Sequence, residues 1–165
     1  MKHLQFILLL YSFTALGQNG SDSKFRYNAF SVSPLEIYTD EISFGTSISL
    51  DINFKWSKNI FTFSTSFLQE FAIWGPGDYY FQLNTMFGRE HEIANWLFID
   101  THTGIGLFYR NDNNASQVDI GIPLQLKLRF KIGERFSIGL RVQANWNSIR
   151  SLYTYGLLLQ WNKIK

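Results

Sequence analysis

The segment Val118–Ile132, VDIGIPLQLKLRFKI, decides the fold. Val118, Ile120, Ile122, Leu124, Leu126, Leu128, Phe130 and Ile132 alternate with Asp119, Gly121, Pro123, Gln125, Lys127, Arg129 and Lys131. Successive side chains on a strand point to opposite faces, so this is the strand period; a helix repeats about every 3.6 residues. Ile42–Trp56, ISFGTSISLDINFKW, repeats the pattern. Ile42, Phe44, Ile48, Leu50, Ile52, Phe54 and Trp56 share one face, interrupted only by Thr46, and Ser43, Gly45, Ser47, Ser49, Asp51, Asn53 and Lys55 share the other.

Outward from these two segments the alternation predicts eight strands, at 25–38, 42–56, 60–74, 79–88, 96–110, 118–132, 135–147 and 151–162. Turn chemistry separates them, at Ser57-Lys58-Asn59, Gly75-Pro76-Gly77-Asp78, Asn111-Asp112-Asn113-Asn114 and Gly133-Glu134. Arg89–Asn95 is expected to be a turn as well. Short links imply an antiparallel meander. Pro34 breaks the alternation of the first strand, and Pro123 is expected to sit at a local bulge, because a closed barrel has no free edge for it.

Alternation alone does not say which face is outside. Seven glycines within the strands, Gly45, Gly88, Gly104, Gly106, Gly121, Gly139 and Gly156, all fall on the polar phase. Glycine weakens a water-facing strand, but it suits the crowded interior of a narrow barrel. The apolar phase is bulky and nearly free of charge, as a lipid-facing surface must be. Most runs also reach or exceed the roughly 9–11 tilted residues that cross a bilayer. Trp56, Trp74, Trp96, Trp146 and Trp161 lie at or near strand ends, where interfacial girdles sit, although strict phase turns Trp74 and Trp96 inward. The reading is an all-β, eight-stranded antiparallel up-and-down transmembrane barrel with a narrow, filled polar lumen. The alternative is a soluble exported barrel that carries a small lipid, with Phe44, Phe63 and Leu126 lining an apolar cavity.

The N-terminus reads as a signal peptide over 1–17: Lys2 and His3, an apolar stretch from Leu4 to Leu16, and small Ala15 and Gly17 before a cut at Gln18. Residues 18–24 (QNGSDSK) form a polar leader, and 25–165 form the barrel. Cleavage would remove Lys2 and no acid from a chain of formal charge +2. So small a net charge gives no electrostatic case for nucleic acid. Charged residues make up 17% of the chain, against about 25% in a soluble domain. There is no cysteine, which excludes disulfides, thiolate metal sites, a cysteine nucleophile and a lipidated N-terminal cysteine.

With its signal peptide, eight amphipathic strands and final strand Tyr153-Tyr155-Leu157-Leu159-Trp161, the chain resembles the small eight-stranded outer-membrane β-barrel proteins of Gram-negative bacteria over residues 25–162. ALGQN and the stretch GIPLQLKLRFKIGERFSIGL with GLLLQW are similar to barrel proteins of such envelopes. The resemblance implies an outer-membrane location, outer-membrane lipids as surroundings and the barrel-insertion machinery as a partner. Such proteins commonly end on an aromatic residue that this machinery reads; here Asn162-Lys163-Ile164-Lys165 follow Trp161 and displace it.

Some barrels of this class modify lipid A, and the deacylases among them carry a histidine two residues before a serine. The nearest match, Asp100-Thr101-His102-Thr103-Gly104, lacks the serine. An acid-oriented His102 is conceivable, because Asp100 shares its face, but a lone acid–histidine pair has no nucleophile, and Ser47 and Ser49 have no sequence tie to it. His91 between Glu90 and Glu92 reads as a solvated turn, and Asn111–Asn114 lacks the spaced acids of a calcium loop. No catalytic, metal or cofactor residue is therefore assigned. Inward charges stand out instead: Lys127, Arg129, Lys131 and Arg141 from two adjacent strands, with Asp119 on the first of these, Asp51, Glu70 and Asp100 from other strands, and His102 beside them. They are expected to plug the barrel. The expected role is a non-porin structural or interaction protein, with a lipid carrier second and a lipid-modifying envelope enzyme third.

Overall fold

The computed structural model describes residues 24–71, 77–112 and 115–163. The signal peptide, nearly all of the leader, Trp74 and Asn113-Asn114 lie outside the described residues. Eight strands run in chain order: β1 (Arg26–Thr39), β2 (Phe44–Trp56), β3 (Asn59–Glu70), β4 (Tyr79–Ala94), β5 (Leu97–Asn111), β6 (Ser116–Lys131), β7 (Phe136–Trp146) and β8 (Leu152–Asn162). Each pairs antiparallel with its neighbours, and β1 pairs with β8 to close a barrel. Closure removes every free strand edge. Strands of 11 to 16 residues are well beyond the 5–6 common in soluble sheets. β1 starts and β8 ends at the same rim, here called the termini end. The β1–β2, β3–β4, β5–β6 and β7–β8 links lie at the other, the loop end.

The apolar phase faces outward. Leu126 is 44% exposed, Phe63 50% and Phe44 54%. These residues therefore do not line a ligand cavity, and the soluble-carrier arrangement is overturned. The polar phase is interior: Ser31, Ser49, Asp51, Asn53, Ser64, Gln82, Asn84, Gln125, Gln143 and Gln160 are all buried. Gly45, Gly88, Gly106, Gly121 and Gly139 are buried with them, and Gly104 and Gly156 are half-buried. Toward the loop end the filling becomes apolar. Tyr38, Leu68, Tyr80, Phe108 and Leu152 form a buried cluster with Ile149 against it. The Tyr80 ring lies 5.6 Å from Tyr38 and 5.8 Å from Phe108.

Four local expectations are corrected. The third strand stops at Glu70, short of residue 74. The Arg89–Asn95 turn shrinks to Asn95-Trp96, because the β4–β5 ladder continues through Glu90↔Asp100, His91↔Ile99 and Glu92↔Phe98. No bulge occurs at Pro123. The β6–β7 ladder runs evenly through Pro123↔Asn145, and the β5–β6 ladder resumes in the same register after skipping Gly104-Ile105 opposite Ile122-Pro123. The proline's missing donor is absorbed by that skipped pairing. Trp96 does not point inward. It lies in the turn before β5 and stacks on the outward Phe130 ring at 6.0 Å. Trp56, Trp96 and Trp161 are exposed at the termini end, and Trp146 is exposed at the loop end.

The outward assignment has a direct mutational consequence. Leu126→Arg, at mid-strand, should destabilise the reconstituted barrel by about 2–4 kcal/mol, the midplane penalty for a basic residue in lipid. Urea unfolding in lipid vesicles measures it. An unchanged midpoint would place Leu126 away from lipid.

Candidate functional site

The inward charges form two connected groups and one gate. The central group is built on Arg141 of β7, which is wholly buried. Its Nη1 donates to Glu36 Oε1 at 2.5 Å and to Ser49 Oγ at 2.9 Å. Its Nη2 donates to Gln143 Oε1 at 2.5 Å, and its Nε lies 3.7 Å from Asp51 Oδ2. Glu36 Oε2 accepts from Ser47 at 2.8 Å and from Ser49 at 2.5 Å. Lys127 Nζ of β6 reaches Asp51 Oδ2 of β2 at 2.7 Å. In a ring of eight strands β2 and β6 are opposite, so this ion pair spans the lumen.

Glu36 was not among the lumen charges read from the alternation, and Pro34 explains why. The β1 register shifts between Ser33 and Glu36 against β2, and between Val32 and Glu36 against β8. Ala29, Ser31 and Ser33 point inward before the shift, and Glu36 and Tyr38 after it. A bulge that inserts one residue moves every later side chain to the other face. Gly156 completes the geometry. It pairs with Glu36 on one side and Arg141 on the other. A Cβ at Gly156 would run into the Leu35 carbonyl and Glu36, so the glycine leaves the floor over which acid and guanidinium meet.

The second group lies nearer the termini. Arg129 Nε and Nη2 donate to the two Asp100 oxygens at 2.5 and 2.8 Å, a bidentate pair. Nη2 also donates to Glu90 Oε2 at 2.7 Å, and Lys55 Nζ donates to Glu90 Oε1 at 2.5 Å. The Arg129 guanidinium sits 5.3 Å from the Phe98 ring centroid. Arg129, Glu90, Lys55 and Phe98 line an open vestibule of about 560 Å³ at the termini end, whose walls include Lys131, Glu134, Asn162 and Lys163. At the loop end Arg150 Nη1 donates to Asp40 Oδ2 at 3.0 Å and to the Tyr80 hydroxyl at 2.8 Å, closing over the aromatic cluster. Burial alone would raise the Asp40 carboxyl, but hydrogen bonds from Ile42 and Ser43 and the Arg150 charge outweigh it and hold it below the usual carboxylate range.

Asp51, Asp100, Lys127, Arg129 and Arg141 are thus joined in or beside the two groups, and Glu70, Lys131 and Asp119 are not. Glu70 is half-buried and accepts from the Asp78 backbone at 3.1 Å. Lys131 is exposed in the vestibule wall. Asp119 reaches the β7–β8 link, where the Ser148 backbone and hydroxyl donate to it at 2.5 and 2.6 Å. His102 is buried over Gly88, where a Cβ would strike its ring. It makes no hydrogen bond to Asp100, whose oxygens are taken by Arg129, so the acid-oriented histidine is not formed. Ser47 and Ser49 are bound to Glu36 instead.

This fold and its side-chain distribution are those of a transmembrane β-barrel, the fold shared by small outer-membrane proteins. Among solved structures, the chain is similar to Neisserial surface protein A (NspA), with a TM-score of 0.69 and 6% identity over 87% of this chain and all of that one. It is similar to Ail, the attachment invasion locus protein of Yersinia pestis, solved with the heparin analogue sucrose octasulfate (TM-score 0.55, 11% identity, 83% and 98% covered). It is also similar to the outer membrane enzyme PagL (TM-score 0.53, 16% identity, 80% and 97% covered). No family model matches the chain, and no curated protein matches it in sequence. At these identities the likeness is one of fold.

The Glu36–Arg141 pair can be weighed by a double-mutant cycle. Glu36→Gln leaves a buried guanidinium short of a counter-charge and should cost roughly 3–5 kcal/mol. Adding Arg141→Gln should recover part of that loss, read by urea unfolding of the reconstituted barrel. Strictly additive losses would mean that the two side chains are not coupled.

Proposed function

We propose that this chain is a non-porin structural or interaction protein of the bacterial outer membrane, with both termini on the periplasmic side. The observation that carries this reading is the sealed lumen. Ion pairs cross its middle, at Lys127–Asp51 and Arg141–Glu36, and the Tyr38, Tyr80 and Phe108 rings fill its loop end. A solute entering from the vestibule meets Arg129 held by Asp100 and Glu90. An eight-stranded barrel leaves an interior that side chains just fill, and here they do so. PagL has a similar fold and is an enzyme, so fold alone does not decide catalysis. The engagement of Asp100 by Arg129, and of Ser47 and Ser49 by Glu36, favours a lumen spent on cohesion over one spent on chemistry.

Planar-bilayer recording tests the reading. The purified barrel should give no stepwise conductance. Regular open-channel steps from the unmodified protein would make it a pore and overturn the proposal.

A further inference from the structure

The two rims of the barrel differ in charge. At the termini end Lys24, Arg26, Lys58, Arg89 and Arg135 are exposed or half-exposed and take part in no ion pair among the described residues. The acids of that end, Glu90, Glu92 and Glu134, line the vestibule. At the loop end the balance reverses. Asp40, Glu41, Glu70, Asp78, Asp112 and Asp119 gather there, and the described cations are Arg110 and Arg150, both ion-paired.

The free cations accompany the aromatic girdle. Lys58 is in the turn directly after Trp56, Arg135 directly precedes Phe136, which packs on Trp161 at 5.5 Å, and Arg89 follows the outward Phe87 on β4. Tryptophan rings favour the headgroup level of a bilayer, so side chains at this height meet headgroups and not acyl chains. Long basic side chains next to such a belt extend toward the polar layer. Five unneutralised cations at one rim, with the acids Glu90, Glu92 and Glu134 lining the vestibule, are complementary to an anionic lipid surface.

We propose that the termini-end rim is a binding surface for the headgroups of anionic phospholipids in the adjoining leaflet. It holds them through Lys58, Arg89 and Arg135, with Lys24 and Arg26 extending the surface along β1. The acidic loop-end rim repels the same headgroups, so the barrel prefers anionic lipid on one side only. The proposal rests on the membrane reading above and adds a lipid class and a side to it.

Electron spin resonance with spin-labelled lipids tests it on the full mature chain reconstituted in phosphatidylcholine bilayers. A motionally restricted lipid component should appear, and spin-labelled phosphatidylglycerol should enter it about fivefold in preference to spin-labelled phosphatidylcholine. That ratio corresponds to the ~1 kcal/mol of one basic residue near an anionic surface. The preference should fall toward unity in 1 M salt, roughly where the Debye length is 3 Å. It should also fall in the triple variant Lys58→Gln, Arg89→Gln, Arg135→Gln, and persist in Glu41→Gln. Absence of any restricted component would refute the membrane reading itself. A restricted component without headgroup preference, or a preference that survives both salt and the triple variant, would overturn the rim proposal alone. Should the triple variant not fold, the salt dependence of the unmodified chain still decides.

Discussion

Arg141 is wholly buried, carries a charge it does not lose, and lies two strands away from its counter-ion. A buried guanidinium is tolerable only when carboxylates and hydrogen-bond acceptors surround it. Glu36, Asp51, Ser49 and Gln143 do so, from β1, β2 and β7. Each of these contacts sets a requirement elsewhere. Glu36 must face inward, which requires the register shift at Pro34-Leu35. Glu36 and Arg141 must meet across β8, which requires Gly156. Asp51 must serve two cations at once, which brings Lys127 across the full width of the lumen. A narrow barrel has little room for water to substitute for a missing partner, so the inward residues of all eight strands are mutually dependent.

The exterior follows from a simpler rule. In lipid the backbone must be satisfied internally, and closure of β1 on β8 does so without an edge. What remains is a smooth apolar wall with tryptophans at its ends. The two constraints are separable along one strand. In β6 the even-numbered residues from Val118 to Phe130 answer to lipid, and Gln125, Lys127 and Arg129 answer to the lumen.

That separation is why so much was legible in the sequence. The unbroken alternation of Val118–Ile132 and Ile42–Trp56 required strands, and the placement of seven glycines on the polar phase identified the inside. Phase counting put Asp51, Asp100, Lys127, Arg129 and Arg141 on the face that is buried, but it put Glu70, Asp119 and Lys131 there too; these lie at the rims, and alternation does not say where along a strand the lumen ends. It failed at Glu36, where an extra residue at Pro34-Leu35 reverses the faces, and at Trp96, where a turn releases the side chain from strand phase. It could not foresee how far the Glu90–Glu92 segment would continue as strand, because that depends on Glu90 finding Lys55 and Arg129 across the barrel. Nor does alternation distinguish an inward tyrosine from an inward serine, so the aromatic filling of Tyr38, Tyr80 and Phe108 emerged only from the packed structure.

The central claim is that the apolar face looks outward into lipid around an interior closed to water. Its most direct test is collision accessibility of spin labels placed one at a time at Ile120, Ile122, Leu124, Leu126 and Leu128 in the bilayer-reconstituted barrel. Molecular oxygen should reach every site, most strongly near Leu124 and Leu126, and a water-soluble nickel chelate should be excluded there. Access of the chelate to Leu124 and Leu126 as free as that of oxygen would contradict the account.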